Sequence, residues 1–579
     1  MAFHGSDETI GSPHNGNVLG TLEAISQFDP FLARHLTEYG NPGRGQVSYL
    51  SSTICDEFIA LLARKVRDKI VTELKTAKYY SVSVNSTPDI THCDQLTVIF
   101  RYVTPAGPVE RFIQFLQIES HTGESLGNVL LSLLEQLQID IAYCRGQSYD
   151  NASNMSGIYN GIQAFISDKN SLAIYIPCAG HSLNLAGKSA VDCCPVAIRF
   201  FDFVQKLYVF FSQSTHRWKV LTKALSNTPV VKRLCATRWY AHADATKALR
   251  SGYPSIKNAL EELRDDTEQK PECRLEATGL VKTMDNLETG IMAAIWDEIL
   301  QRFNSVSLML QHSQLDLNSA ISLFDSVIEF TALQRSRFLF FEQKGKELTS
   351  NETYHEETRR KRKRNTQMND YVLHDVPGTP ENSTVQTPAD RFRVDSFLPI
   401  VDKLVTALTN RRAAYSVISK KFVFLRRLTT LTVEEIDVFA KALVETYTAD
   451  LEPDLSRELN FLVSILRPGF APEGANQTTK EAPELWMYHV VTGNVSLRNS
   501  IPNVVNMLSI FLSLMMTNCS GERSFSVLKR VKNYLRSTMG QERMSNLALL
   551  SIENGMLNSL PMDEIISDFA SLKARKKSF

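Results

Sequence analysis

The stretch between Tyr80 and Ile118 constrains this chain most, because three runs of strand-favouring residues follow one another there with only short breaks. Tyr80, Val82 and Val84 alternate with Ser81, Ser83 and Asn85. Successive side chains of a strand point to opposite faces, so Asn85 is expected on the face away from the apolar set. Residues 96–103 and 112–118 are rich in β-branched and aromatic side chains, and Pro105-Ala106-Gly107-Pro108 lies between them. Together they predict an antiparallel meander.

The flanking segments read as helices and further strands. Residues 53–75 place Ile54, Phe58, Leu61, Leu62, Val66, Ile70 and Leu74 on one helical face. Beyond the meander, Thr122 is placed to cap a helix carrying Leu126, Val129, Leu130, Leu133, Leu134 and Leu137. A short strand at 144–149 then runs into Asp150-Asn151, another is expected at 173–177, and helices follow from His181 onward. Three strands, helix, strand, helix, strand is a mixed α/β sheet, the order of an RNase H-like core. We divide the chain into an N-terminal polar segment and amphipathic helix at 1–78, the first part of the core at 79–244, a large all-α insertion at 245–500, and C-terminal helices completing the core at 501–579.

The insertion is interrupted by a polar segment at about 346–389, rich in Pro, Ser, Thr and Asn, which is expected to be disordered. Within it, residues 359–364 are six consecutive basic residues. A nuclear localisation signal and a solvated loop both fit that run. Near the C-terminus, a helix beginning about Ser520 is expected to carry Glu522, Ser526, Lys529, Asn533 and Arg536 on one arc. Phe525, Leu528, Val531 and Leu535 form the opposing stripe. One face would bury and the other could meet DNA.

Composition excludes several classes. Lysine plus arginine and aspartate plus glutamate each total 63, so any nucleic-acid contact must be local. The nine cysteines include no CxxC pair, which reads as reduced thiols, and no structural zinc is expected. Residues 1–17 are polar and lack the apolar core of a secretory leader. The sequons at Asn151, Asn351 and Asn382 are therefore read as chance matches. The most apolar later stretch, Met507 to Met516, is half the length of a membrane span, so no membrane is expected as partner.

Five strings carry a resemblance. They are Ser-Thr-Pro-Asp-Ile at 86–90, Ser-Tyr-Asp-Asn-Ala-Ser-Asn-Met at 148–155, Cys-Ala-Gly-His at 178–181, Thr-Arg-Trp at 237–239 and Ser-Gly-Glu-Arg-Ser-Phe-Ser at 520–526. The last is followed by Lys532-Asn533-Tyr534-Leu535-Arg536-Ser537. In this order the chain resembles hAT-family DNA transposases. Gly40-Asn41-Pro42-Gly43 and Ser51-Ser52-Thr53-Ile54-Cys55 are similar to the branch that includes zinc finger MYM-type protein 1.

The resemblance implies an RNase H-like fold whose two aspartates and one glutamate hold two divalent ions, Mg2+ or Mn2+, to stabilise the attacking and leaving oxygens of a phosphodiester. By position Asp150 matches the second aspartate and Glu522 the glutamate, so both are the implied catalytic and metal residues. Asn85 stands at the first. An amide oxygen can ligate a cation but brings no negative charge. Asp89 lies past the strand end. Bland readings compete: Asp150 fits an Asx turn, and Glu522 a helix N-terminus.

Further residues follow from the same resemblance. Trp239 matches a tryptophan that stacks on a flipped base, and Arg238 beside it could touch phosphate, although a lone tryptophan is more often core. His181, Lys529 and Arg536 complete the implied DNA-contacting set. Cys178 and His181 have the spacing of half a zinc site without a partner pair, and Cys178 is read as packing. The C-terminal segment at 501–557 implies a homodimer. The family's usual N-terminal zinc finger is not in this sequence, which starts in what resembles mid-family sequence, so a finger encoded upstream and a genuine loss both fit. Three functions remain open: a nuclear, transposase-derived protein with a degenerate site, dimerising and contacting DNA without strand transfer; an active metal-dependent transposase or nuclease; and a protein-interaction scaffold without DNA contact. None calls for a small-molecule substrate.

Overall fold

The computed structural model describes all residues except 1–4, 6, 42–48, 151, 158, 236–238, 313–314, 356–386, 467–481 and 572–579. Arg238, Asn151, Asn382 and the basic run at 359–364 therefore lie outside the described residues. The chain divides into two compact units. One comprises Met1–Ala179, Gln311–Ser319 and Val417–Phe579, and the other Gly180–Leu310 and Ala320–Ser416.

The first unit is built on a five-stranded mixed sheet in the order β3-β2-β1-β4-β5. These are β1 (Tyr80–Pro88), β2 (Asp94–Thr104), β3 (Gly107–Gln117), β4 (Cys144–Ser148) and β5 (Ile174–Tyr175). β1, β2 and β3 form the expected antiparallel meander, while β4 lies parallel to β1 and β5 parallel to β4. At the β2–β3 turn Gly107 has φ of +108°, a conformation other residues adopt only under strain. The last strand is shorter than the expected 173–177.

Strand alternation sorts the two faces as the sequence predicted. Tyr80, Val82 and Val84 pair with Tyr102, Phe100 and Val98, and this apolar face belongs to a continuous core with Val66, Ile70 and Leu74 of the Ser52–Ala77 helix and Leu126 and Leu130 of the Gly123–Gln136 helix. Thr122 caps the latter, its hydroxyl accepting from Ser125 N at 3.3 Å. The opposite face is buried too. Ser81 and Ser83 pair with Arg101 and Ile99 and are fully covered, because the Pro502–Ser513 and Cys519–Val531 helices pack over β1 and β2. Arg101 is buried there, and its guanidinium donates to Leu512 O, Leu315 O and the Glu110 carboxylate, each at 3.1 Å. The apolar stretch at 507–516 is thus core, and among the described residues no helix is long and apolar enough to cross a membrane.

Two features differ from expectation. The helix begun at Cys519 ends at Val531, and Lys532 is already extended, so Asn533 and Arg536 do not continue the arc of Glu522, Ser526 and Lys529. Asn533 explains the stop: its side chain accepts from Leu535 N at 3.0 Å and starts a separate one-turn helix at Tyr534–Arg536. The Phe338–Thr349 helix also runs into the polar segment, and Asn351 there donates to Asp285 O at 2.9 Å.

The regular elements of the second unit are all helices among its described residues. Its core gathers Phe201, Trp239, His242 and the fully buried Trp296, the largest apolar side chain of the Leu287–Leu310 helix.

Candidate functional site

The parallel pairing of β1 with β4 sets the geometry. Ser83 pairs with Ser148, the last residue of β4, so extending the register by two residues sets Asn85, midway along β1, beside Asp150, just past the end of β4. Neighbouring strands are about 4.8 Å apart, which sets the scale of the separation between these two backbones. Both side chains are half-buried. Each is engaged locally: Asn85 Oδ1 accepts from Ser86 N at 2.8 Å, and Asp150 Oδ1 accepts from Ala152 N at 3.1 Å. The second contact is the Asx turn that local sequence allowed, and it leaves the other carboxylate oxygen out of that bond.

The start of the Cys519–Val531 helix lies over the same strand ends. Asn518, buried just before it, accepts from Ser83 Oγ at 2.7 Å and donates to Val84 O at 3.2 Å. Its own N–H donates to Cys178 Sγ at 3.2 Å. One turn on, Ser524 Oγ donates to Thr97 Oγ1 at 2.9 Å, and Thr97 is the ladder partner of Asn85. A Cβ on Gly521 would stand 3.3 Å from the Thr97 methyl, so the helix approaches β2 closely at this point. Glu522 sits between Gly521 and Ser524, half-buried in the first turn.

Cys178 links the two carboxylates' surroundings. Burial pushes the Cys519 thiol up, and Cys178 and then Glu522 add to the shift. Burial likewise raises the Tyr175 phenol, with Cys178 and Asp150 reinforcing it. Cys178 N donates to Tyr149 O at 3.3 Å, next to Asp150, and its thiol accepts from Asn518 N, just before the helix that bears Glu522. Among the described residues, no group of three or more His, Cys, Asp and Glu is arranged to hold a metal ion.

Asp89 has a different fate. Its Oδ1 accepts from Thr91 N at 2.7 Å, Thr91 Oγ1 at 2.6 Å and Cys93 N at 3.3 Å. Its Oδ2 accepts from Lys532 Nζ at 2.7 Å and Gln95 Nε2 at 3.2 Å. Burial alone would raise this carboxyl, but the Lys532 ammonium and the Thr91 and Cys93 donors outweigh it and hold the pKa at about 2. With both oxygens taken, Asp89 ties the β1–β2 hairpin to the C-terminal segment and is not available in place of Asn85.

The remaining predicted residues fall elsewhere. Trp239 opens a helix of the second unit and is 7% exposed. It stacks on His242 at 4.4 Å between centroids, meets Phe201 edge-on at 6.0 Å, and lies so near Gly187 that a Cβ there would be 2.9 Å from its ring. Base stacking would require the ring to leave those contacts. His181 is half-buried in the Ala179–Val191 helix of the second unit. Lys529 is exposed on the Cys519–Val531 helix, and Arg536 is half-buried in the separate turn that follows. Sequence reasoning missed Asn518, whose partners lie more than 300 residues away; its only local signal is a polar residue immediately before the Cys519 helix.

Comparison with known proteins adds descent to geometry. Residues 1–161 match the family described as ZMYM1/FAM200, RNase-like domain, and residues 495–556 match the hAT family C-terminal dimerisation region. The protein called 52 kDa repressor of the inhibitor of the protein kinase is similar in two organisms. The chain is 22% identical to that of Mus musculus over 542 residues, 88% of this chain and 66% of the relative. It is 22% identical to that of Homo sapiens over 228 residues, 38% of this chain and 30% of the relative. The matched stretches thus span less than two thirds of each relative's length.

Proposed function

We propose that this chain, which is transposase-derived and hAT-related with that family's dimerisation region, is a nuclear, nucleic-acid-contacting homodimer on an RNase H-like core that no longer performs strand transfer. The sheet order, with three antiparallel strands and two parallel additions, supports the RNase H-like reading. The relatives' printed description as a repressor and the basic run at 359–364 support the nuclear one.

One observation carries the loss of cleavage. By extension of the β1–β4 register, the residue beside Asp150 is Asn85, an amide whose oxygen already accepts a backbone N–H. A pair of Mg2+ or Mn2+ ions brings four positive charges and takes hard, charged oxygens as ligands. Asp150 and Glu522 supply two negative charges, Asn85 supplies none, and Asp89 is held by Lys532. The set does not fit the metal pair, and we derive no reaction step through it.

The test is nicking of supercoiled and linear DNA by the full chain in magnesium and in manganese. No cleavage is expected from the native chain, and gain of metal-dependent nicking in Asn85→Asp, abolished by a further Asp150→Ala, supports the reading. Robust cleavage by the native protein overturns it. Light scattering reads the dimer, and a strict monomer at micromolar concentration removes that part of the proposal.

A further inference from the structure

The one-turn helix Tyr534–Arg536 presents a side-chain pattern unlike the rest of the C-terminal segment. Tyr534 is 78% and Leu535 79% exposed, adjacent and projecting from a turn that is held firmly. Asn533 closes it from within, accepting from Leu535 N at 3.0 Å and donating to Arg530 O at 3.3 Å. Lys532, immediately before it, is anchored to Asp89 at 2.7 Å and to Thr91 Oγ1 at 3.1 Å. A large aromatic and a leucine on a stiff turn lose little freedom when they meet a partner.

The surroundings are cationic. From Arg523 to Arg543 there are six basic residues and one acidic, Glu542. Lys532 and Arg543 are committed to Asp89 and Asp56. Lys529 and Arg530 are exposed. Arg536 has a buried Nη2 without a hydrogen-bond partner, and burial and the neighbouring Arg543 both disfavour its charge, a strain that an added anion relieves.

We propose that the Tyr534-Leu535 turn is a stacking wedge for unpaired nucleotides, with Tyr534 lying on a base, Leu535 at the adjoining step, and Lys529, Arg530 and Arg536 on the flanking phosphates. It rests on the reading that the molecule meets nucleic acid and names the form it takes. Exposed aromatics interleaved with cations suit a strand whose bases are free to unstack, since every base offers a ring face and every linkage a charge. The turn lies inside the region matched to hAT dimerisation, so a second copy is the competing occupant. Charge argues against it: pairing this turn with itself across a two-fold axis sets Lys529, Arg530 and Arg536 against an identical set.

The experiment uses the full chain with fluorescent oligo-dT and a duplex of equal length, titrated across salt, and compares native protein with Tyr534→Ala, Tyr534→Phe and Lys529→Ala/Arg530→Ala. The wedge predicts tighter binding to oligo-dT than to duplex. Tyr534→Ala should weaken oligo-dT binding about tenfold, as removal of one stacking aromatic does, with little change in salt slope. Tyr534→Phe should bind as the native chain does, and the double cation variant should lower the oligo-dT slope by about 1.4. Native-like binding by Tyr534→Ala with weakened binding by the cation variant overturns the wedge and leaves the nucleic-acid reading standing. Absence of binding to either probe overturns both. Loss of the dimer in Tyr534→Ala with unchanged oligo-dT affinity assigns the turn to a second copy instead. Tyr534 lies outside the core, so an unchanged thermal midpoint is expected to accompany each result.

Discussion

Asn85, midway along β1, and Asp89, just past its end, stand four residues apart, and their side chains have opposite fates. Asn85 is half-buried, bonds to the residue beside it, and by extension of the register lies beside Asp150. Asp89 is buried, accepts five hydrogen bonds and pairs with an ammonium from 443 residues later in the chain. The carboxylate therefore occurs where it holds the fold together, and the amide where a metal ligand would need charge. Proximity in sequence to a candidate ligand position says little about which job a carboxylate does; its donors decide that.

The largest effect that sharpens this contrast is Lys532→Ala. Removing one partner of a buried pair typically costs 3–5 kcal/mol, and because Thr91, Cys93 and Gln95 continue to donate to Asp89, about 3 kcal/mol of destabilisation is expected. Urea unfolding at neutral pH measures it. A change under about 0.5 kcal/mol would mean that Asp89 is not held as described.

Next in size is a pH effect. The Asp89 carboxyl falls from 3.8 to about 2 on folding. Its contribution is thus fully present above the unfolded pKa and is lost as pH drops from about 4 toward 2, amounting to about 2 kcal/mol at most. Comparing urea midpoints at pH 7 and pH 3 for the native chain and Asp89→Asn should show a smaller acid-induced loss in the variant. Equal losses in both would assign the acid sensitivity to other carboxylates.

The smallest effect is on the other side of the comparison. Asn85→Asp places a second carboxylate beside Asp150, and without metal it should lower stability by about 1 kcal/mol through like-charge repulsion. Millimolar Mg2+ or Mn2+ should then raise the thermal midpoint of the variant and leave that of the native chain unmoved, because an ion that binds only the folded state stabilises it. A metal response of the native chain equal to that of the variant would erase the distinction between the two positions.

Much of the sheet was legible from local pattern. The alternation at Tyr80, Val82 and Val84, the Thr122 cap and the run into Asp150 are each set by residues within a few positions of one another, and the structure carries them as read. What local pattern could not supply was the cover on the serine face of β1. Ser81 and Ser83 look solvent-facing until the Pro502 and Cys519 helices bury them. Asn518 escaped notice for the same reason. The end of the Cys519 helix is not legible locally, because an apolar stripe continues through Leu535 while Asn533 competes for the backbone with no glycine or proline to announce the break. At the candidate site, the resemblance to hAT transposases pointed to Asp150 and Glu522 and to the asparagine at the first position. That Asp89 was already committed became visible only with Lys532 in place.

The seam made by Asn518 also sets a clock for synthesis. Strands β1 to β5 are complete by Tyr175, yet Phe525, Leu528, Met544 and Leu549 of the same core belong to the end of the chain. At the usual elongation rate of roughly 5–20 residues per second, the ribosome needs on the order of 20–70 s to reach them. During that interval the serine face of the new sheet stays open, and a nascent chain must be shielded until its last helices arrive.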